Sequence, residues 1–165
     1  MNTQQELIRL IEIEQEQFYR VAYMHVKNRD DALDILHNAI VKALQKHHTL
    51  RNPEYLKTWF YKILINESIS FIRKNKKIIA FDDLKEIEIP AANSDIDKVE
   101  YIDLYEAIEK LPIKLKSVVI LRYFEDMNLT EIAKITSAPL STTKSRLYKA
   151  LDLLKIDLED IENDW

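Results

Sequence analysis

Residues 128–150 read NLTEIAKITSAPLSTTKSRLYKA, and their spacing decides the fold class. Asn128 can cap a helix while Glu131, three residues on, reaches back to the cap, so Asn-Leu-Thr-Glu has the form of a capping box. The helix it opens is predicted from Leu129 to about Thr136, with Leu129, Ile132, Ala133 and Thr136 on one face at i, i+3, i+4 and i+7. Ala133 is small enough for a second helix to cross closely. Ser137-Ala138-Pro139 then interrupts the run, since the residue before a proline is driven out of helical geometry. A second helix is predicted to start from a Ser141 cap, with Thr143, Leu147, Ala150 and Leu154 as its inward stripe. Its outer face carries Ser145, Tyr148 and Lys149, flanked by Lys144 and Arg146. Two short helices joined by a tight turn, the second with a basic face, make a helix-turn-helix. In that motif the start of the second helix enters the DNA major groove, where Lys and Arg bond guanine edges or phosphates and hydroxyls bond either. An ordinary helical hairpin with a solvated polar face has the same periodicity, so this pattern needs support from the rest of the chain.

Composition agrees with an all-α chain. The 165 residues include no glycine, against an average usage of about 7%, which removes glycine-rich phosphate loops and glycine hairpin turns and favours helices joined by Asn, Asp, Ser and Pro. There is no cysteine, so disulfides and cysteine zinc sites are out and a reducing cytoplasm is expected. No apolar run approaches the ~20 residues of a membrane span, and the N-terminal MNTQQELIRLIEIEQEQ lacks the basic-then-apolar order of a leader, so no membrane insertion is expected. His25, His37, His47 and His48 do not fall in a ligand spacing, and no nucleophile, base and acid form a recognisable set; no metal, cofactor or catalytic residue is expected.

A net charge of −4 argues against nucleic acid until the charges are placed. Residues 1–77 hold 13 Lys and Arg against 9 Asp and Glu, residues 78–110 hold 3 against 10, and residues 111–155 hold 8 against 4. The last ten residues hold none against 5, so the acid gathers in a middle segment and a tail and leaves two mildly basic blocks. The expected organisation is a first module over residues 1–77, an acidic linker with Pro90 over 78–98, and a second module over 99–165 ending in an acidic tail. In the second module, helix is expected over 99–110 and, after Leu111-Pro112, over 114–124.

The first module has two helical signals. In DDALDILHNAIVKAL, the residues Ala32, Ile35, Leu36, Ala39, Ile40, Ala43 and Leu44 form a core-facing stripe, with Asp34, His37, Asn38, Val41 and Gln45 opposite. In the helix that follows Pro53 and ends in Arg73-Lys74-Asn75-Lys76-Lys77, two apolar faces are expected, Leu56/Phe60/Ile63/Phe71 and Ile65/Ile69/Ile72. Between them Trp59, Lys62, Asn66 and Arg73 lie nearly in line. Cations interleaved with an aromatic suit single-stranded DNA, since Lys and Arg hold phosphates while an aromatic or amide meets an unstacked base; an aromatic cluster that is simply core has the same composition.

Leu121-Arg122-Tyr123-Phe124-Glu125-Asp126, then Glu131-Ile132-Ala133, Pro139, Thr142 and Lys144-Ser145-Arg146-Leu147 closely resemble region 4 of bacterial RNA polymerase sigma factors of the extracytoplasmic-function group. The resemblance implies binding to the promoter −35 element through Arg122, Thr142, Lys144, Ser145, Arg146, Tyr148 and Lys149. Ser137, Ser141 and Asp126 stand where the family often has glycine. FYRVAYMHVKNRDDALDILHNAIVKAL is similar to the family's region 2.1–2.2, which implies docking on the β′ clamp helices of core polymerase through Asp34, His37, Asn38 and Val41. His37 and Asn38 depart from the usual glutamine and acid. TWFYKILINESISFIRKNKK resembles region 2.3–2.4, which melts and reads the −10 element; the implied contacts are Leu50, Trp59, Lys62, Ile63, Asn66, Ser70 and Arg73, with Asn66 at the family's base-contacting asparagine. Leu50 and Ser70 depart from the family's phenylalanine and its acid or amide. The resemblance further implies an initiation factor that is not itself an enzyme, and as partners the β flap, promoter DNA and an anti-sigma protein. A stand-alone helix-turn-helix regulator and a purely protein-binding helical protein share parts of the pattern and stay open here.

Overall fold

The computed structural model describes residues 2–78 and 101–154, and every regular element among them is helical, as expected. The chain divides into two compact units, one carried by α1–α3 and the other by the bulk of α4–α7.

In the first unit, α1 (Thr3–Val26) starts from a reciprocal cap: Asn2 Oδ1 accepts from Gln5 N at 2.8 Å, and Gln5 Oε1 accepts from Asn2 N at 3.2 Å. It breaks locally at Glu14 (φ −111°, ψ 17°) and ends at Lys27 (φ 53°), whose N–H donates to the Tyr23 carbonyl at 2.7 Å. Asn28 Oδ1 then accepts from Asp31 N at 2.9 Å and opens α2 (Arg29–Lys46). Ala32, Ile35, Leu36, Ala39 and Ala43 are buried as the spacing predicts, with Ile40 and Leu44 half-buried at its margin. Two single 3₁₀ turns, His47–Thr49 and Pro53–Tyr55, lead into α3 (Leu56–Ile78).

The aromatic centre of this unit is Phe18. It is fully buried, with its ring centroid 4.5 Å from that of Phe60 and 5.1 Å from that of Tyr61, the latter edge-on. Lys57 pairs with Glu14 at 2.9 Å and Lys42 with Glu67, tying α3 to both neighbours. Both lysines are about half exposed, so each pair contributes on the order of 0.2–1 kcal/mol, well below the aromatic burial. One correction concerns α3: its buried stripe is Leu56, Phe60, Tyr61, Leu64, Ile65 and Ser68, while Ile63, Ile69, Phe71 and Ile72 are only half-buried. Packing against Phe18 buries one arc of α3, and Tyr61 and Leu64 occupy the part of it that two separate apolar faces would have left out.

The second unit holds α4 (Tyr101–Glu109), α5 (Ile113–Val119), the part of α6 (Leu129–Thr136) up to Ala133, and α7 (Leu140–Leu154). Ile108, Leu111, Leu115 and Val119 share one buried cluster with Ala150 and Leu154 of α7. The helix expected over 114–124 begins at Ile113 and widens at its end into a π turn, Ile120–Phe124, where Glu125 N donates to the Ile120 carbonyl at 3.3 Å. Asn128 caps α6 as predicted, its Oδ1 accepting from Glu131 N at 2.8 Å, while Glu131 reaches back to the cap's side chain rather than its backbone N–H, Oε1 accepting from Asn128 Nδ2 at 3.1 Å. Ser141 is not the cap of the next helix. α7 begins at Leu140, and the Pro139 carbonyl accepts from both the N–H and the hydroxyl of Thr143, each at 3.0 Å. Proline cannot continue a helix backwards through its own N–H, and here its carbonyl closes the first turn.

The glycine-free turns carry a cost. Lys27, Asp126 and Ser137 all have positive φ, at 53°, 52° and 55°, so left-handed turns are made here without the residue that makes them cheaply. Ser137 sits in a Schellman turn, with Ala138 N donating to the Ala133 carbonyl at 3.0 Å and Ser137 N to the Lys134 carbonyl at 3.4 Å. Of the expected linker, Ile78 is the last residue of α3; residues 79–100 and the acidic tail lie outside the described residues. Ser137→Gly is expected to stabilise the protein by up to about 1 kcal/mol, and Ser137→Val to destabilise it, both read as shifts of the thermal unfolding midpoint.

Candidate nucleic-acid interface

The exposed face of α7 follows from what α7 buries. Thr143, Leu147, Ala150, Leu151 and Leu154 are buried, which leaves Lys144, Ser145 and Lys149 exposed and Thr142, Arg146 and Tyr148 half-buried around the opposite side. All the residues expected at the −35 element on this helix therefore lie outside its buried stripe. The Ser145 hydroxyl donates to the Ser141 carbonyl at 3.0 Å, so in this rotamer it presents oxygen lone pairs outward and becomes a donor only on rotation.

Thr142, Ser145, Arg146 and Lys149 form one wall of an open groove of about 470 Å³, whose other wall is the start of α5 from Pro112 to Leu115. The lining carries Lys114, Arg146 and Lys149 and no acid. Lys114 did not emerge from the sequence, because nothing in the periodicity of either helix links it to residues 28 to 35 positions away.

Arg122 belongs to the π turn rather than to α7. It is half-buried, its Nη1 donates to the Met127 carbonyl at 3.4 Å, and its guanidinium lies 5.8 Å from the Tyr123 ring centroid. In this geometry it braces the turn that leads into α6.

On α3, Lys62, Asn66, Ser70 and Arg73 are exposed, and Trp59 and Ile63 half-buried. They form one ridge at i, i+3, i+4, i+7, i+11 and i+14 from Trp59, set by the burial of Phe60, Tyr61, Leu64, Ile65 and Ser68 on the other side. Leu50, half-buried, is held in extended geometry after the first 3₁₀ turn, its N–H donating to the His47 carbonyl at 3.2 Å.

On α2, Asp34, His37 and Asn38 are exposed and Val41 is 38% exposed. Leu33 is 44% exposed on the same side, one turn before His37 and two before Val41, so the face is a polar patch with an apolar edge. Its signal was present in the sequence as a leucine lying off the core stripe.

His25 is buried and its Nδ1–H donates to the Val21 carbonyl at 2.7 Å, the behaviour of a core histidine. Among the described residues no group of His, Cys, Asp and Glu is arranged to hold a metal, and no helix is long and apolar enough to cross a membrane.

Comparison with known proteins places these faces in context. Residues 10–78 match the family described as Sigma-70 region 2, and residues 101–154 match Sigma-70, region 4. The chain is 47% identical over 152 residues to RNA polymerase sigma factor SigV of Bacillus subtilis (strain 168), covering 92% of this chain and 90% of that protein. It is 27% identical over 165 residues to ECF RNA polymerase sigma factor SigW of the same organism, covering 92% and 88%. Among solved structures, the sigma factor RpoE in complex with the anti-sigma factor NepR from Bartonella quintana superposes with a TM-score of 0.67 at 23% identity, covering 90% of this chain and 96% of that one.

Proposed function

The chain belongs to the sigma-70 family as a factor of the extracytoplasmic-function group, and on that premise we propose how its two units divide the work of promoter reading. It is an RNA polymerase sigma factor, an initiation subunit that binds core polymerase and promoter DNA. The observation that carries the division of labour is that each unit turns a separate face outward, opposite its own core. The proposed units are residues 1–77 and 99–165, joined by the acidic segment 78–98.

In the second unit, α7 lies in the major groove of the −35 element. Lys144, Arg146 and Lys149 meet base edges or phosphates, and Thr142, Ser145 and Tyr148 supply hydroxyls and a ring. Arg122 contributes from the π turn. In the first unit, the α3 ridge takes the melted strand of the −10 element: Lys62 and Arg73 hold phosphates, Asn66 and Ser70 hydrogen-bond to a base, and Trp59, Ile63 and Leu50 give it an apolar surface. The α2 face docks on the polymerase β′ clamp helices. Asp34 supplies the charge, Leu33 and Val41 the apolar edge, and His37 and Asn38 hydrogen bonds. The second unit engages the β flap. The protein works in the cytoplasm without catalysing synthesis itself, and an anti-sigma protein covers these faces when the factor is idle.

Run-off transcription with purified core enzyme tests the reading as a whole: initiation is expected only when this chain is added, and tight duplex binding by the chain without polymerase would indicate a stand-alone regulator instead. Arg146→Ala is expected to weaken use of the −35 element by about 1–3 kcal/mol, measured as promoter affinity of the reconstituted holoenzyme against −35 variants. Asn66→Ala is expected to leave that affinity nearly intact and lower the fraction of open complex, read from chemical reactivity of unpaired thymines. Asp34→Arg reverses one charge on an exposed face, so reduced co-purification with core polymerase is expected at unchanged thermal stability.

A further inference from the structure

We infer that Lys114, on the first turn of α5, binds a backbone phosphate beside the duplex that α7 occupies, an inference that rests on the reading of α7 as the major-groove helix. Leu115 and Ala150 belong to the same buried cluster, and their immediate neighbours in sequence are Lys114 and Lys149. That packing sets the exposed Lys114 across an open groove from Thr142, Ser145, Arg146 and Lys149. The groove holds three cations and two hydroxyls with no acid to neutralise them, so its field favours an anion.

The geometry of a duplex says which anion. The major groove is about 12 Å wide and a helix with its side chains about 10–12 Å across, so a helix seated there fills it and the elements beside it meet the sugar-phosphate walls. Lys114 stands on such an element. Lysine is also a compact point charge without the planar fork of arginine, which suits it to a phosphate rather than to the edge of a guanine. The contact would therefore position the second unit on DNA without reading sequence.

The test uses holoenzyme reconstituted from core polymerase and the full chain, with promoter duplexes titrated at several salt concentrations. Loss of one phosphate contact is expected to make the slope of log affinity against log salt shallower by about 0.9 in Lys114→Gln, so a fourfold rise in salt weakens the variant roughly threefold less than the parent. The loss of affinity at low salt should be the same on duplexes with unrelated −35 sequences, and Lys114→Arg should retain the parental slope. A parental slope in Lys114→Gln overturns the inference and leaves the groove to another anion, such as an acidic polypeptide. A loss confined to one −35 sequence, or a Lys114→Arg variant that fails equally, also overturns it. If the parental chain confers no promoter binding on core polymerase, the reading of α7 falls first and this inference with it.

Discussion

Ala150 and Leu154 of α7 lie in one buried cluster with Ile108, Leu111, Leu115 and Val119, and the direction of every charged group on α7 follows from that packing. A helix at 100° per residue that buries Thr143, Leu147, Ala150 and Leu154 must turn Lys144, Ser145 and Lys149 away from the core. Ala150 is buried in the same cluster as Leu115, and Lys114 and Lys149 line the open groove between α5 and α7 together. The same constraint works in the first unit, where Phe18 against Phe60 and Tyr61 fixes the rotation of α3 and so exposes Lys62, Asn66, Ser70 and Arg73 as one ridge.

The turns show what it costs to build this arrangement without glycine. Ser137 and Asp126 adopt left-handed geometry in the segments on either side of α6. For such residues the conformation is held by its hydrogen bonds: the Schellman pair at Ser137, and at Asp126 the bond from Met127 N to the Leu121 carbonyl at 3.1 Å. Asp is among the residues that tolerate this region best, since its short polar side chain can hydrogen-bond locally. The π turn before Asp126 adds a residue to the helix end and so re-aims Arg122 and Tyr123, which an unbroken α-helix would have carried elsewhere.

Net charge is a poor guide for such a chain. The whole carries −4, yet the charged residues lining the groove on the second unit are all positive. Local sign, not the sum, decides what approaches a face within the roughly 8 Å Debye length of physiological salt.

Much of the fold was legible because it rests on short-range rules. The Asn128–Glu131 cap, the extent of α6, the buried stripes of α2 and α7 and the exposed row on α3 all follow from spacing within a single helix. Motif resemblance supplied the family, since the residues that carry it lie in continuous segments. Three things were decided only in three dimensions. Pro139, rather than Ser141, precedes α7 because the Pro139 carbonyl meets both donors of Thr143. Tyr61 and Leu64 join the core because Phe18 of a different helix selects the arc of α3 that is buried. Lys114 reaches the α7 face because Leu115 and Ala150, distant in sequence, are buried together. Periodicity along one helix specifies which of its faces is apolar, but which residue of another helix comes to stand beside its polar face is settled only by how the two pack.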